Sequence, residues 1–164
     1  MNNSNLQIVP VADMPKYSKH VKDSPKKLYK KFIQLENLCR SLKGSGLSAT
    51  QVGWPLNMYV ICKNNNTCDY FFNCEYYPIG DITIAIKEKI LYTESCLSLP
   101  NKYYHVYRFN KIKLTGKRLV NMNGTFSIIS VNYIVSDNWS QIHQHEIDHA
   151  HGILISDIGK VVFI

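Results

Sequence analysis

The sequence predicts an α+β fold, with antiparallel sheets packed around a central metal-binding helix and a second helix near the N-terminus. Three observations predict it. Apolar residues recur at intervals of three and four from Pro25 to Leu42 and again from Ser136 to Gly152. The chain between them breaks into short β-rich runs separated by turn residues. Two of those runs flank Asn123-Gly124, a strong two-residue hairpin signal. At 164 residues and 45% hydrophobic content the chain is sized for one domain, spanning 1–164, with a real core.

Taken in order, residues 1–23 read as irregular, interrupted by Pro10 and Pro15. Ser24-Pro25 is a helix start, a cap residue followed by proline at the first helical position. Leu28, Phe32, Leu35, Leu38, Cys39 and Leu42 then make one side of a helix over 25–42 apolar, with lysines opposite. The small, apolar stretch from Gly44 to Gln51 is either a helix stop with a tight turn or a ligand-facing loop, since glycines serve both. Asn57–Lys63 reads as a strand, Asn64-Asn65-Asn66 as a turn and Tyr70–Cys74 as the return strand. Asp81–Tyr92 alternates β-branched and polar residues and predicts a longer strand running toward Cys96. Lys111–Asn121 and Thr125–Val135 are the hairpin strands, and Lys160–Ile164 a short final one.

No apolar run reaches transmembrane length, and Met1–Pro10 has no secretory pattern, so a cytoplasmic location is expected. Net charge is +7, with Lys19, Lys22, Lys26, Lys27, Lys30 and Lys31 gathered in one stretch. That favours acidic partners, although no nucleic-acid motif accompanies it and a solvated helix face is the simpler reading. Five cysteines without a secretory signal argue against a disulfide framework, and Cys62, Cys68 and Cys74 read as core or strand residues.

The second helix carries the chemistry. Ser136 or Asp137 can cap it and Gly152 can end it. Trp139, Ile142, Glu146, His149 and Ile153 share a face that is expected to point inward. His145 and His149 lie one turn apart, where two imidazoles can bind one metal ion with Glu146 beside it as general base. A catalytic metal needs a third protein ligand. No Glu follows His149, and Ile155 stands where a third histidine would fall in one group of proteases. Asp157 downstream and Cys96 upstream remain as candidates.

Glu94-Ser95-Cys96-Leu97-Ser98 resembles the second motif of the peptide deformylases. Gly44-Ser45-Gly46-Leu47-Ser48-Ala49-Thr50-Gln51 is similar to their first motif, and Gln144-His145-Glu146-Ile147-Asp148-His149 to their third, in the family's order. The resemblance implies Cys96, His145 and His149 as metal ligands, iron(II) favoured with zinc or nickel able to replace it. It implies Glu146 as base, and the Gln51 amide and Leu97 N–H as donors to the developing oxyanion. Substrate contacts are expected from Ser45, Gly46, Ile142 and Arg108. The implied substrates are N-formylmethionyl peptides, with the ribosome as a partner and no membrane. The chain departs from the family at Ser48 (usually Ala), Ser95 (usually Gly) and Ser45 (usually larger and apolar). It stops soon after the metal helix, as do virus-encoded members, for which the location is the host cytoplasm. A zinc peptidase and a non-catalytic ribosome-binding module are the competing readings.

Overall fold

The computed structural model describes residues 6–63 and 67–163, so the expected Asn64-Asn65-Asn66 turn and Ile164 lie outside the described residues. After a 3-10 turn at Val11–Asp13 come α1 (Pro25–Ser41), β1 (Gly46–Ser48), β2 (Met58–Cys62), β3 (Cys68–Pro78), α2 (Ile82–Lys87) and β4 (Ile90–Cys96). Then follow β5 (Leu99–Arg108), β6 (Lys111–Met122), β7 (Thr125–Ser136), α3 (Asp137–Ala150), α4 (Ile155–Ile158) and β8 (Lys160–Val162). All strand pairings are antiparallel, in a five-stranded sheet of order β1-β2-β3-β6-β7 and a three-stranded sheet of order β4-β5-β8.

β2 is sandwiched. Met58 and Val60 meet Leu28, Phe32, Leu35 and Cys39 of α1, while Tyr59 and Ile61 meet Ile147 of α3 on the other side. Successive strand side chains point to opposite faces, so two helices bury Met58–Ile61 of this strand on both sides. Each fully buried side chain of this size contributes about 1.5–3 kcal/mol. A third cluster, Cys96, Tyr104, Val106 and Ile155, lies on the smaller sheet.

Three expectations are corrected, and one strand is new. Asp81–Tyr92 is no single strand: Asp81 accepts hydrogen bonds from the Thr83 and Ile84 amides and starts α2, and only the end of the segment enters β4. β5 was not anticipated, because its buried positions include a charged Arg108. The buried face of α3 is Ser140, His143, Ile147 and Ala150 together with Glu146 and His149, leaving Trp139 and Ile153 exposed, and neither Ser136 nor Asp137 caps the helix through its side chain. Cys62 and Cys68 form a disulfide, because the hairpin register sets them directly opposite with Cα atoms 4.3 Å apart. Cys74 is free and buried.

Candidate active site

The site forms where α3 meets the turn after β4 and the β1 loop. Cys96 Sγ and one nitrogen each of His145 and His149 all lie within 4.8 Å of one another, and Cys96 Sγ is 3.3 Å from His149 Nε2. Donors bound to a common ion at about 2.0–2.3 Å sit roughly 3.5 Å apart, so this set fits one divalent ion. Asp157, the downstream candidate, instead accepts from the Leu154 amide at 2.8 Å.

The histidines are oriented from behind. His145 Nδ1 is 2.9 Å from Glu94 Oε2, which leaves its Nε2 for an ion. Thr50 Oγ1 donates to the His149 carbonyl at 3.1 Å. Burial pulls His149 well below the ordinary imidazole range, so it is neutral, the ligating form.

Glu94 belongs to a buried ionic chain. Arg108 Nε and Nη2 donate to its carboxylate at 2.8 and 3.0 Å, and Arg108 Nη1 donates to Asp148. Tyr76 completes the chain, its hydroxyl donating to Asp148 at 3.0 Å. Burial alone would raise the Glu94 pKa, but hydrogen bonds from Arg108 and His145 hold it at about 2. Arg108 was expected to hold substrate. It is only 2% exposed and its guanidinium is occupied by two carboxylates, so it acts behind the site rather than at its rim.

Glu146 is buried, its Oε2 makes no hydrogen bond among the described residues, and burial pushes its pKa up to about 7. Gly46 sits against it: a Cβ at Gly46 would collide with Glu146 Oε1. The helix-stop meaning of the Gly44–Gln51 stretch holds, since the Gly44 amide ends α1 by bonding the Cys39 carbonyl at 2.9 Å, and the same stretch runs beside Glu146 at Gly46. Gln51 is fixed through its Oε1, which accepts from the Ser48 amide at 2.9 Å. Its Nε2 then lies 3.0 Å from Ser98 Oγ and 3.5 Å from Cys96 Sγ. Leu97 follows Cys96 in the turn and packs on the α1 core. Ser45 is exposed, its carbonyl accepting from the Cys62 amide, and Ile142 is half-buried against the α3 core.

Sequence reasoning left Glu94, Asp148 and Ser98 without roles. The signal was present, since all three lie inside the quoted motifs, but Glu94 and Asp148 are joined by Arg108 of β5, which was not foreseen, and Ser98 meets the Gln51 amide across the site.

Three donors suited to one ion, a buried carboxylate beside them and an α+β frame define a metallohydrolase type of site. Residues 5–160 match the polypeptide deformylase family. Peptide deformylase of Helicobacter pylori strain J99 is 30% identical over 147 residues, 85% of this chain and 76% of that one. That of Buchnera aphidicola from Schizaphis graminum is 33% identical over 140 residues, 85% and 77% of the two chains. Among solved structures, a probable peptide deformylase from Synechococcus phage S-SSM7 superposes with a TM-score of 0.76 at 24% identity, covering 93% of this chain and 99% of that one. The Thermotoga maritima peptide deformylase gives 0.76 at 25% identity, covering 93% and 96%. The chain belongs to the polypeptide deformylase family, a family of enzymes.

Proposed function

We propose that residues 1–164 form one catalytic domain that hydrolyses the N-terminal formyl group from formyl-methionyl polypeptides. The observation that carries this is the buried Glu146 carboxylate, with one oxygen left without a hydrogen bond among the described residues, beside the Cys96, His145 and His149 donors. Those three residues would hold a divalent ion, iron(II) by preference and zinc or nickel as substitutes. When bound, the ion supplies Lewis acidity and lowers the pKa of a water molecule in the site.

The chain's own residues do the rest. Glu146 takes the proton of the attacking water and returns it to the amine nitrogen as the C–N bond breaks, releasing formate. The Gln51 amide and the Leu97 N–H donate to the formyl oxygen as it gains negative charge, and losing one such donor typically costs ~10²–10³ in rate. Gly46 leaves the peptide backbone room beside Glu146, with Ser45 and Ile142 at the rim. Arg108 positions His145 through Glu94. The substrates arise at ribosomes, so the cytoplasm is the expected place of action, the host's if a virus encodes the chain.

The test is anaerobic turnover of formyl-Met-Ala-Ser by iron(II)-loaded protein beside its Glu146→Ala variant. Formate release by the parent alone is expected, with both proteins retaining metal. A folded, metal-loaded parent that releases none would overturn the assignment, as would a variant that matches it.

A further inference from the structure

We infer that the segment Lys16–Lys31 forms a docking surface for unpaired RNA. Charge is concentrated there. Residues 16–31 hold seven lysines and one acid, Asp23, whereas the rest of the chain is nearly balanced, with twelve basic and eleven acidic residues. Among the described residues only Lys31 pairs with a carboxylate, Asp23 at 2.7 Å. The other six, Lys16, Lys19, Lys22, Lys26, Lys27 and Lys30, are exposed and form no ion pair among the described residues.

The surface is also fixed in shape. The Ser18 amide bonds the Ala150 carbonyl at 3.2 Å, and the Lys19 amide bonds the Pro55 carbonyl at 2.9 Å. Asn73 grips Val21 at both ends, accepting from its amide at 2.7 Å and donating to its carbonyl at 3.0 Å. On α1, Lys26, Lys27 and Lys30 take outward positions, opposite the buried Leu28, Phe32, Leu35 and Cys39. Lysines on a pinned backbone present a standing row of positive charge, which complements a phosphate chain.

Tyr17 decides among polyanions. It is 82% exposed between Lys16 and Lys19, and an aromatic ring beside cations is the platform on which an unstacked base rests. A membrane surface fits less well, because Tyr17 is the one large apolar side chain exposed within this segment. The lysines of α1 occupy its first two turns, remote from the end that leads to Gly44 and Glu146, and α1 runs about 25 Å. RNA held by these α1 lysines therefore lies away from Gly46 and Glu146, while the Lys16–Lys19 part of the surface sits against the C-terminal end of α3 through the Ser18–Ala150 hydrogen bond.

The test uses the metal-loaded full chain, with fluorescence anisotropy of a labelled unstructured RNA 20-mer. Binding is expected to weaken with salt, with a log–log slope near −4 for about six phosphates neutralised. Lys26→Glu/Lys27→Glu/Lys30→Glu should weaken it at least tenfold and flatten the slope, and the Arg triple at these positions should restore it. Lys111→Glu/Lys113→Glu, on β6, should change it less than twofold. Tyr17→Ala should weaken RNA but not heparin, which has charge and no bases. No RNA binding by the parent, an equal loss in the β6 variant, or tighter binding to phosphatidylserine vesicles would each overturn the inference. The assay needs no turnover, so it is read independently of the deformylase assignment. Hydrolysis of free formyl-Met-Ala-Ser should be unchanged in the α1 variant.

Discussion

Gly46 and Glu146 show how far one hydrogen atom can matter. A methyl group at Gly46 meets the far end of a flexible side chain, so the fold survives Gly46→Ala but the carboxylate has to move. Displacement of a reacting group by about 1 Å can cost ~10²-fold in rate. Gly46→Ala should therefore lower kcat by about that factor with metal content and Tm near those of the parent, which stopped-assay kinetics and metal analysis together would check. The free thiols make a second prediction. Burial pushes Cys39 up to about 12 and Cys74 to about 11, against an ordinary 9. Between pH 9 and 11 the unfolded chain loses these protons and the folded chain keeps them. Their contribution to stability is complete below pH 9 and is lost as pH rises, by about 1.4 kcal/mol per pH unit for each thiol. Urea midpoints across pH 8–11 should fall less steeply in Cys39→Ala/Cys74→Ala.

At the scale of elements, the chain from Glu94 on β4 through Arg108 on β5 to Asp148 on α3 ties the smaller sheet to the metal helix. Removing one member strands a buried charge, which costs about 3–5 kcal/mol. Arg108→Met should lose that much in chemical denaturation, and Arg108→Met/Glu94→Gln/Asp148→Asn should recover part of it. What the sequence revealed follows the same logic. α1 and the β6–β7 hairpin were legible because apolar period and turn chemistry agree with burial, Asn123 and Gly124 both taking left-handed backbone. α3 was legible as a helix, and Ile142, Glu146 and His149 do turn inward, but Trp139 and Ile153 do not. Its anchors are polar: Ser140 Oγ donates to the Phe109 carbonyl at 2.8 Å, and His143 Nδ1 meets the Tyr59 hydroxyl at 2.8 Å. Apolar periodicity cannot see such anchors. Ile82, Ile84 and Ile86 alternate as in a strand, yet all three are exposed on α2, which pairs with no strand among the described residues. The site was legible as residue types, whereas the support behind it depends on β5 and was not.

For the whole molecule, the proposed ligands come from two bodies, Cys96 from the smaller sheet and the histidines from a helix packed on the larger one. An ion bound at 100–1,000 times its Kd stabilises by about 2.7–4.1 kcal/mol. For a chain of this size that is roughly 5–15 °C in Tm. Chelation should lower Tm by this amount in differential scanning calorimetry, and Cys96→Ser should show no further drop on adding chelator. The sandwiched β2 carries a consequence for how the chain is born. One cover, α1, precedes β2 in the chain, but the other, α3, ends at Ala150, some 88 residues after Cys62. At typical elongation rates of about 5–20 residues per second, Tyr59 and Ile61 wait roughly 4–18 s for their second cover. For that interval the newborn chain displays a half-clad strand, and it needs shelter most before it can do any chemistry.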